Sequence, residues 1–232
     1  MVKENLEIVE RRVAEACKRA GRSREEVTLI AVSKTKPVEL IRQVMEAGVV
    51  DFGENKVQEM CGKIEEIKEP LHWHLIGHLQ RNKVKYVVDK AYLIHSVDSL
   101  RLAEEIEKEA AKREMICPVL VEINIGDEDS KTGTQKEEAV ELVKEIAKLP
   151  HVGIKGLMCV PPFAEEPEES RGYFKQLRAL RDQIEALGLP GVEMKELSMG
   201  MTGDFEVAIE EGATFVRVGT AIFGERDYSL KQ

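Results

Sequence analysis

The chain alternates short apolar runs with amphipathic segments eight times over. "VTLIAVSK" (27–34) leads into "PVELIRQVMEAG" (37–48), with proline at the start of the expected helix and glycine just past its end. "VVDFGEN" (49–55) precedes "KVQEMCGKIEEIKE" (56–69), and "WHLIGH" (73–78) precedes a helical stretch over 82–89. The pattern continues with "AYLIHSV" and "SLRLAEEIEKEAAKR", "CPVLVEINI" and "KEEAVELVKEIAKL", then "VGIKGLMCV" and "EESRGYFKQLRALRDQIEAL". It closes with "MKELSMGM", a shorter helix near "DFEVAIEEG", "TFVRVG" and a terminal segment "AIFGERDYSLKQ". Such alternation builds an α/β fold with right-handed crossovers. Runs as apolar as "VTLIAV" and "PVLVEINI" suit parallel strands covered on both faces. Eight units in 232 residues fit a (β/α)8 barrel. Apolar positions at Leu6, Val9, Val13, Ala16 and Cys17 add a helix ahead of the first strand. An open doubly wound sheet is the alternative, but it usually needs fewer strands. One domain spanning 1–232 is expected.

A barrel gathers its strand C-termini on one face, so the residues at those ends predict a pocket. Lys34 and Lys36 come from the first strand, Glu54 and Asn55 from the second, and His78 from the third. Ser96, Asp98, Asn124, Met158 and Cys159 follow, then "SMGMTGD" and "RVGT". The last two carry the most information. Small residues let backbone N–H groups approach an anion, and hydroxyls add donors, which makes Thr202, Gly219 and Thr220 candidates for a phosphate. A lysine in a partly apolar barrel mouth loses its proton more readily, and a neutral amine beside a phosphate-bearing aldehyde forms a Schiff base. That pairing points to pyridoxal 5'-phosphate (PLP). Pocket position does not separate Lys34 from Lys36, and alternation puts both on the face opposite Thr35.

Composition narrows the class. Hydrophobic residues make up 43% of the chain, enough for a core, and no run approaches the roughly 18 apolar residues of a membrane span. The charged N-terminus "MVKENLEIVERR" has no apolar leader core, which reads as cytoplasmic. A net charge of -9 argues against a nucleic-acid binder. Cys17, Cys61, Cys117 and Cys159 form no C-x-x-C pair and read as reduced, mostly packed thiols. His72 and His74 share a strand face with His78 following, but no carboxylate or thiol ligand is evident beside them, so no metal is expected. Ser33-x-x-Lys36 and Lys131-Thr132-Gly133 echo serine β-lactamase motifs. That serine needs a helix start after it, whereas here the lysine precedes a proline leaving a strand.

Taken in order, "AVSKTKP", "FGENKVQE", "WHLIGHLQRNK", "IHSVDS", "SKTG", "GLMCVPP" and "ELSMGMTGDFEVAIEEGATFVRVGTAIFG" resemble the pyridoxal-phosphate homeostasis protein family from about residue 5 to 228. The resemblance implies the barrel of the alanine racemase N-terminal domain without the racemase's second, β-rich domain. It implies an internal aldimine on Lys34, phosphate contacts at Thr202, Gly219 and Thr220, and Arg217 facing the pyridine nitrogen. Thr202 replaces the family's usual serine, and Cys159 its usual threonine. Asn55 and His78 are further pocket candidates.

An arginine beside the ring nitrogen keeps that nitrogen unprotonated, which weakens the ring as an electron sink. Alanine racemase works with the same arrangement, using a tyrosine base from its extra domain, for which the 232 residues leave no room. A carrier that holds PLP and passes it to PLP-dependent apo-enzymes, as a monomer, is therefore expected. A low-efficiency amino-acid racemase and a phosphosugar enzyme without covalent cofactor are the rivals. Lys36 reads either as a solvated strand-end charge or as a second amine that helps release the aldehyde. Lys131 reads as a surface loop lysine or a gate.

Overall fold

The apolar stripe of the first segment buries Val2, Leu6, Val9, Val13, Ala16 and Cys17 on one face of α1 (Val2–Arg19). Glu4 in its first turn and Lys18 and Arg19 in its last complement the helix dipole. The computed structural model describes residues 1–126 and 132–225. The strands are β1 (Thr28–Val32), β2 (Asp51–Glu54), β3 (His72–Leu75), β4 (Leu93–Val97), β5 (Cys117–Asn124), β6 (Thr134–Gln135), β7 (Val152–Cys159), β8 (Val192–Met201) and β9 (Phe215–Val218). Between them run α2 (Val38–Met45), α3 (Val57–Glu66), α4 (Leu100–Ala111), α5 (Ala139–Ile146), α6 (Arg171–Glu185) and α7 (Phe205–Glu210), with α8 (Thr220–Phe223) following β9.

Every strand pairing is parallel, in the order β4-β3-β2-β1-β9-β8-β7-β5, and β4 pairs with β5 to close an eight-stranded barrel. The two-residue β6 lies outside that ring, alongside Ile123 and Asn124. All eight expected strands are present. The helix expected over 82–89 is instead a 3-10 helix at Arg81–Tyr86. That segment buries only Val84, too little apolar surface to stabilise a full α-helical nucleus.

Alternation along the strands sorts residues to two sides. Leu29, Ala31, Phe52, Trp73, Leu75, Val119, Val121, Val216 and Val218 join the large apolar layer between strands and helices. Ile30, Leu93, Leu120, Met158 and Phe215 form a separate, smaller cluster in the lumen. Gly200, at φ +93°, lets β8 turn into α7, because a Cβ there would come within 2.5 Å of the Ala208 side chain. Among the described residues, no helix is long and apolar enough to cross a membrane. All four cysteines are free, three of them buried and Cys61 half-buried.

Candidate functional site

β1 ends at Val32, and the chain then turns: Lys36 N donates to Ser33 O at 3.0 Å, and Thr35 takes a φ of +64°. The strand alternation expected through Thr35 therefore stops at Ser33. A non-glycine residue at positive φ needs support from its surroundings, and Lys63 and Glu59 supply it. The Lys63 ammonium, on the apolar stripe of α3, donates to Ser33 O at 2.8 Å, Glu54 Oε1 at 2.7 Å and Glu59 Oε1 at 2.7 Å. Glu59 Oε1 also accepts from Thr35 N at 2.5 Å. One buried lysine thus fixes the peptide groups on both sides of Lys34. Glu54 accepts from the Ser33 hydroxyl at 2.6 Å and is fully buried, which raises its pKa against the opposing pull of Lys63 and Ser33. Its Oε2 has no partner.

Lys36 is half-buried, lines the same cavity as Lys34, and is held by backbone carbonyls. Its ammonium donates to the carbonyls of Phe223, Gly224 and Glu225 at 3.2, 3.0 and 2.8 Å, capping the C-terminal end of α8 with a cation. With Ser33 held by Glu54 and Lys36 held by these carbonyls, neither is placed as the β-lactamase echo would need.

Across the barrel mouth, Asp204 Oδ1 accepts from Met201 N at 2.8 Å, and Thr202 Oγ1 accepts from Gly219 N at 3.4 Å. The second contact ties the turns after β8 and β9 together. Arg217, on β9, is only 4% exposed. It donates through Nη1 to Ser198 Oγ at 2.6 Å and through Nη2 to Cys159 O at 2.9 Å. Burial lowers its pKa, opposed by Cys159, Glu122 and Asp204, and a guanidinium stays charged under such a shift.

Lys34, Thr202, Arg217, Gly219 and Thr220 all line one cavity of about 440 Å³. Its apolar wall includes Val32, Ile76 and Val160, with Pro161, Pro162 and Phe163 at the rim. Asn55 and His78 do not line it. Asn55 lies just past β2, packed against Gly77, where any Cβ would come within 2.5 Å of Asn55 O. His78 is exposed and stands 3.9 Å from Asp98. Lys131 lies outside the described residues. Two features went unread in the sequence. One is Lys63, signalled by its helical spacing from the buried Val57 and Met60. The other is the carboxylate thought missing beside the histidines: Asp51 Oδ1 is 3.1 Å from His72 Nδ1 and 2.8 Å from His74 Nε2. It was overlooked because it comes from the neighbouring strand, at Asp51↔His72 in the register.

A closed parallel barrel with a lysine at the end of β1 and a buried arginine on β9 has known counterparts. The family model described as alanine racemase, N-terminal domain, matches residues 5–227, and this defines the class of protein. Within that class the chain belongs to the pyridoxal phosphate homeostasis protein family. It is 48% identical over 226 residues to the pyridoxal phosphate homeostasis protein of Aquifex aeolicus, covering 97% of this chain and 98% of that one. The structure of PipY from Synechococcus elongatus with PLP bound superposes with a TM-score of 0.83 at 33% identity, covering 97% of this chain and 100% of PipY. An alanine racemase from Clostridium difficile shares the fold, with a TM-score of 0.74 at 16% identity over 96% of this chain and 57% of the racemase.

Proposed function

We propose that the chain binds PLP in this cavity and serves intracellular PLP homeostasis, holding the cofactor on Lys34 and handing it to PLP-dependent apo-enzymes. In this reading it acts in the cytoplasm as a monomeric single-domain carrier rather than as an efficient enzyme. The observation that carries it is the donor set on one cavity wall: an amine, a buried guanidinium and two hydroxyls set among small residues. The naming of the relatives and the PLP-bound state of PipY support it. The cavity volume lies within the roughly 300–1,000 Å³ of small-molecule sites.

The residues fit the cofactor group by group. Thr202, Gly219 and Thr220 would hold the phosphate, Arg217 the ring nitrogen, and Lys34 the aldehyde. When bound, PLP supplies an aldehyde that condenses with amines and a ring that withdraws electrons. Arg217 can only donate hydrogen bonds, so it favours a ring nitrogen that accepts one. A proton on that nitrogen would face a buried cation, and the ring left unprotonated would disfavour carbanion chemistry. Lys63 and Glu59 hold the Lys34 backbone in place from behind. A racemase needs a second base on the opposite face of the cofactor, whereas Lys36, which lines the cavity on the same β1 turn as Lys34, donates to three carbonyls.

Absorption spectroscopy with added PLP, before and after borohydride, followed by peptide mapping, tests this. A visible band that borohydride removes and fixes on Lys34 is expected. Lys34→Ala loses the trapped adduct completely, whereas Thr202→Ala weakens retention and leaves the attachment site unchanged. Equal retention in wild type and Lys34→Ala would sink the covalent assignment. A protein that takes up no PLP returns the cavity to a phosphosugar ligand, and amino-acid racemisation by the loaded protein favours the enzyme reading.

A further inference from the structure

A line of hydrogen bonds crosses the barrel lumen from its N-terminal end to the cavity. Asp51 Oδ1 is 2.8 Å from His74 Nε2, and His74 Nδ1 is 2.9 Å from His95 Nε2. His95 Nδ1 is 2.8 Å from Ser198 Oγ, and Ser198 Oγ accepts from Arg217 Nη1 at 2.6 Å. His74, His95 and Ser198 are fully buried, and the ring of Phe215 packs against both imidazoles at 5.3 and 5.7 Å between centroids.

The Asp51 end of this line orders the protons, and the Arg217 end is compatible with that order. Arg217 can only donate, so the Ser198 oxygen accepts from it, and its second lone pair and its proton leave either role open toward His95 Nδ1. At the other end the Asp51 carboxylate accepts, so His74 carries its proton on Nε2. Burial lowers the pKa of both rings, His95 well below the ordinary histidine value, which favours the neutral form of each. His74 Nδ1 is then an acceptor, which puts the His95 proton on Nε2 and leaves His95 Nδ1 to accept from Ser198. Reasoning from Asp51 therefore gives one arrangement, compatible with the Arg217 end, with every donor pointing from Arg217 toward Asp51. A second proton on His95 or on His74 would set two N–H groups face to face or leave one without an acceptor.

We propose that Asp51, His74, His95 and Ser198 form a directed relay that fixes the plane and donor polarity of Arg217 in the cavity, with Asp51 as its anionic anchor at the opposite end of the barrel. Asp51, His74 and His95 are thereby positioning residues for the ligand that Arg217 meets, and that part rests on the PLP reading above. The anchor is within reach of solvent through His72, which is half-exposed, stacks on Tyr92 at 4.0 Å and lies 3.1 Å from Asp51. Other titratable groups acting on the line are Glu196 near His74, and Cys159, Glu122 and Asp204 near Arg217.

Nitrogen-15 NMR of the histidine rings in the protein without added ligand tests the relay directly. At about pH 8 both rings are expected neutral with the proton on Nε2, and on acidification both are expected to titrate below an ordinary histidine, His95 well below it. A proton on Nδ1 of either ring, or titration of His95 at the ordinary histidine pKa, overturns the proposal. PLP titrations then compare wild type with Asp51→Asn, which keeps the shape and removes the charge, and with His74→Gln, which interrupts the line. Affinity is expected to fall between about two- and thirty-fold, the span of mutations along coupling networks, while the adduct stays on Lys34. The pH profile of the visible band should shift in both variants. Unchanged affinity and pH profile in both overturn the positioning role. Failure of the wild type to bind PLP removes the functional reading and leaves the proton arrangement to be judged by the ring spectra alone.

Discussion

The same strands face two unlike environments. Outward, toward the helices, they present an almost unbroken apolar layer. Inward, five apolar side chains share the lumen with His74, His95, Ser198 and Arg217, all buried and hydrogen-bonded in series. The outer layer gains its stability from area removed from water, which tolerates exchange of one apolar residue for another of similar volume. The lumen depends on donors matching acceptors, where a single lost partner leaves a buried polar group unsatisfied. The two sides of one strand therefore divide the work: one holds the barrel shut, the other sets the chemistry at its mouth.

Changes in the outer layer should mark that division most strongly. Phe174→Ala, a fully buried side chain of α6, is expected to cost about 3–5 kcal/mol in urea unfolding while PLP affinity per folded molecule stays the same. Lys63→Met tests a polar cluster in that layer and should cost about 3 kcal/mol by stranding Glu54. Protonation of Glu54, whose pKa burial already raises, limits the damage, and adding Glu54→Gln should recover part of the loss. The lumen shows itself through pH. His74 and His95 bind protons less readily folded than unfolded, so their contribution is complete above about pH 6.5 and is lost as pH falls below it. Stability should drop by up to about 1.4 kcal/mol per pH unit for each ring, and His95→Gln should flatten the slope measured between pH 6.5 and 5. The smallest effect belongs to Lys36→Met, which removes a cation from the end of α8 at about 1 kcal/mol and leaves the trapped lysine unchanged.

The asymmetry between the two sides also explains what could be read from the chain. Strand and helix positions followed from apolar periodicity, because the outer layer needs only that residues such as Leu29, Ala31, Val119 and Val121 be apolar and alternate. The stretch 82–89 departed from expectation: its 3-10 turn covers Arg81–Tyr86, and the buried Val87 and Val88 follow it. Lys34, Thr202, Arg217, Gly219 and Thr220 share one cavity because strand ends in a barrel converge wherever the loops go. Asn55 and His78 also sit at strand ends, but packing against Gly77 and exposure beside Asp98 keep them off the cavity wall. The ties of Lys36 to Phe223–Glu225, of Lys63 to Ser33 and of Asp51 to His74 join residues distant in sequence, and no local pattern encodes such partnerships.

Pairing of β1 with β9, at Ile30↔Arg217, has a consequence for how the molecule comes into being. The lysine end of the cavity is translated early, whereas Thr202, Arg217, Gly219 and Thr220 leave the ribosome late, and Asn5 of α1 bonds across to Ile222 O at 3.1 Å. During most of its synthesis the chain carries the amine without the phosphate-type turns or the guanidinium. The cavity wall is therefore complete only when the ring of strands has closed.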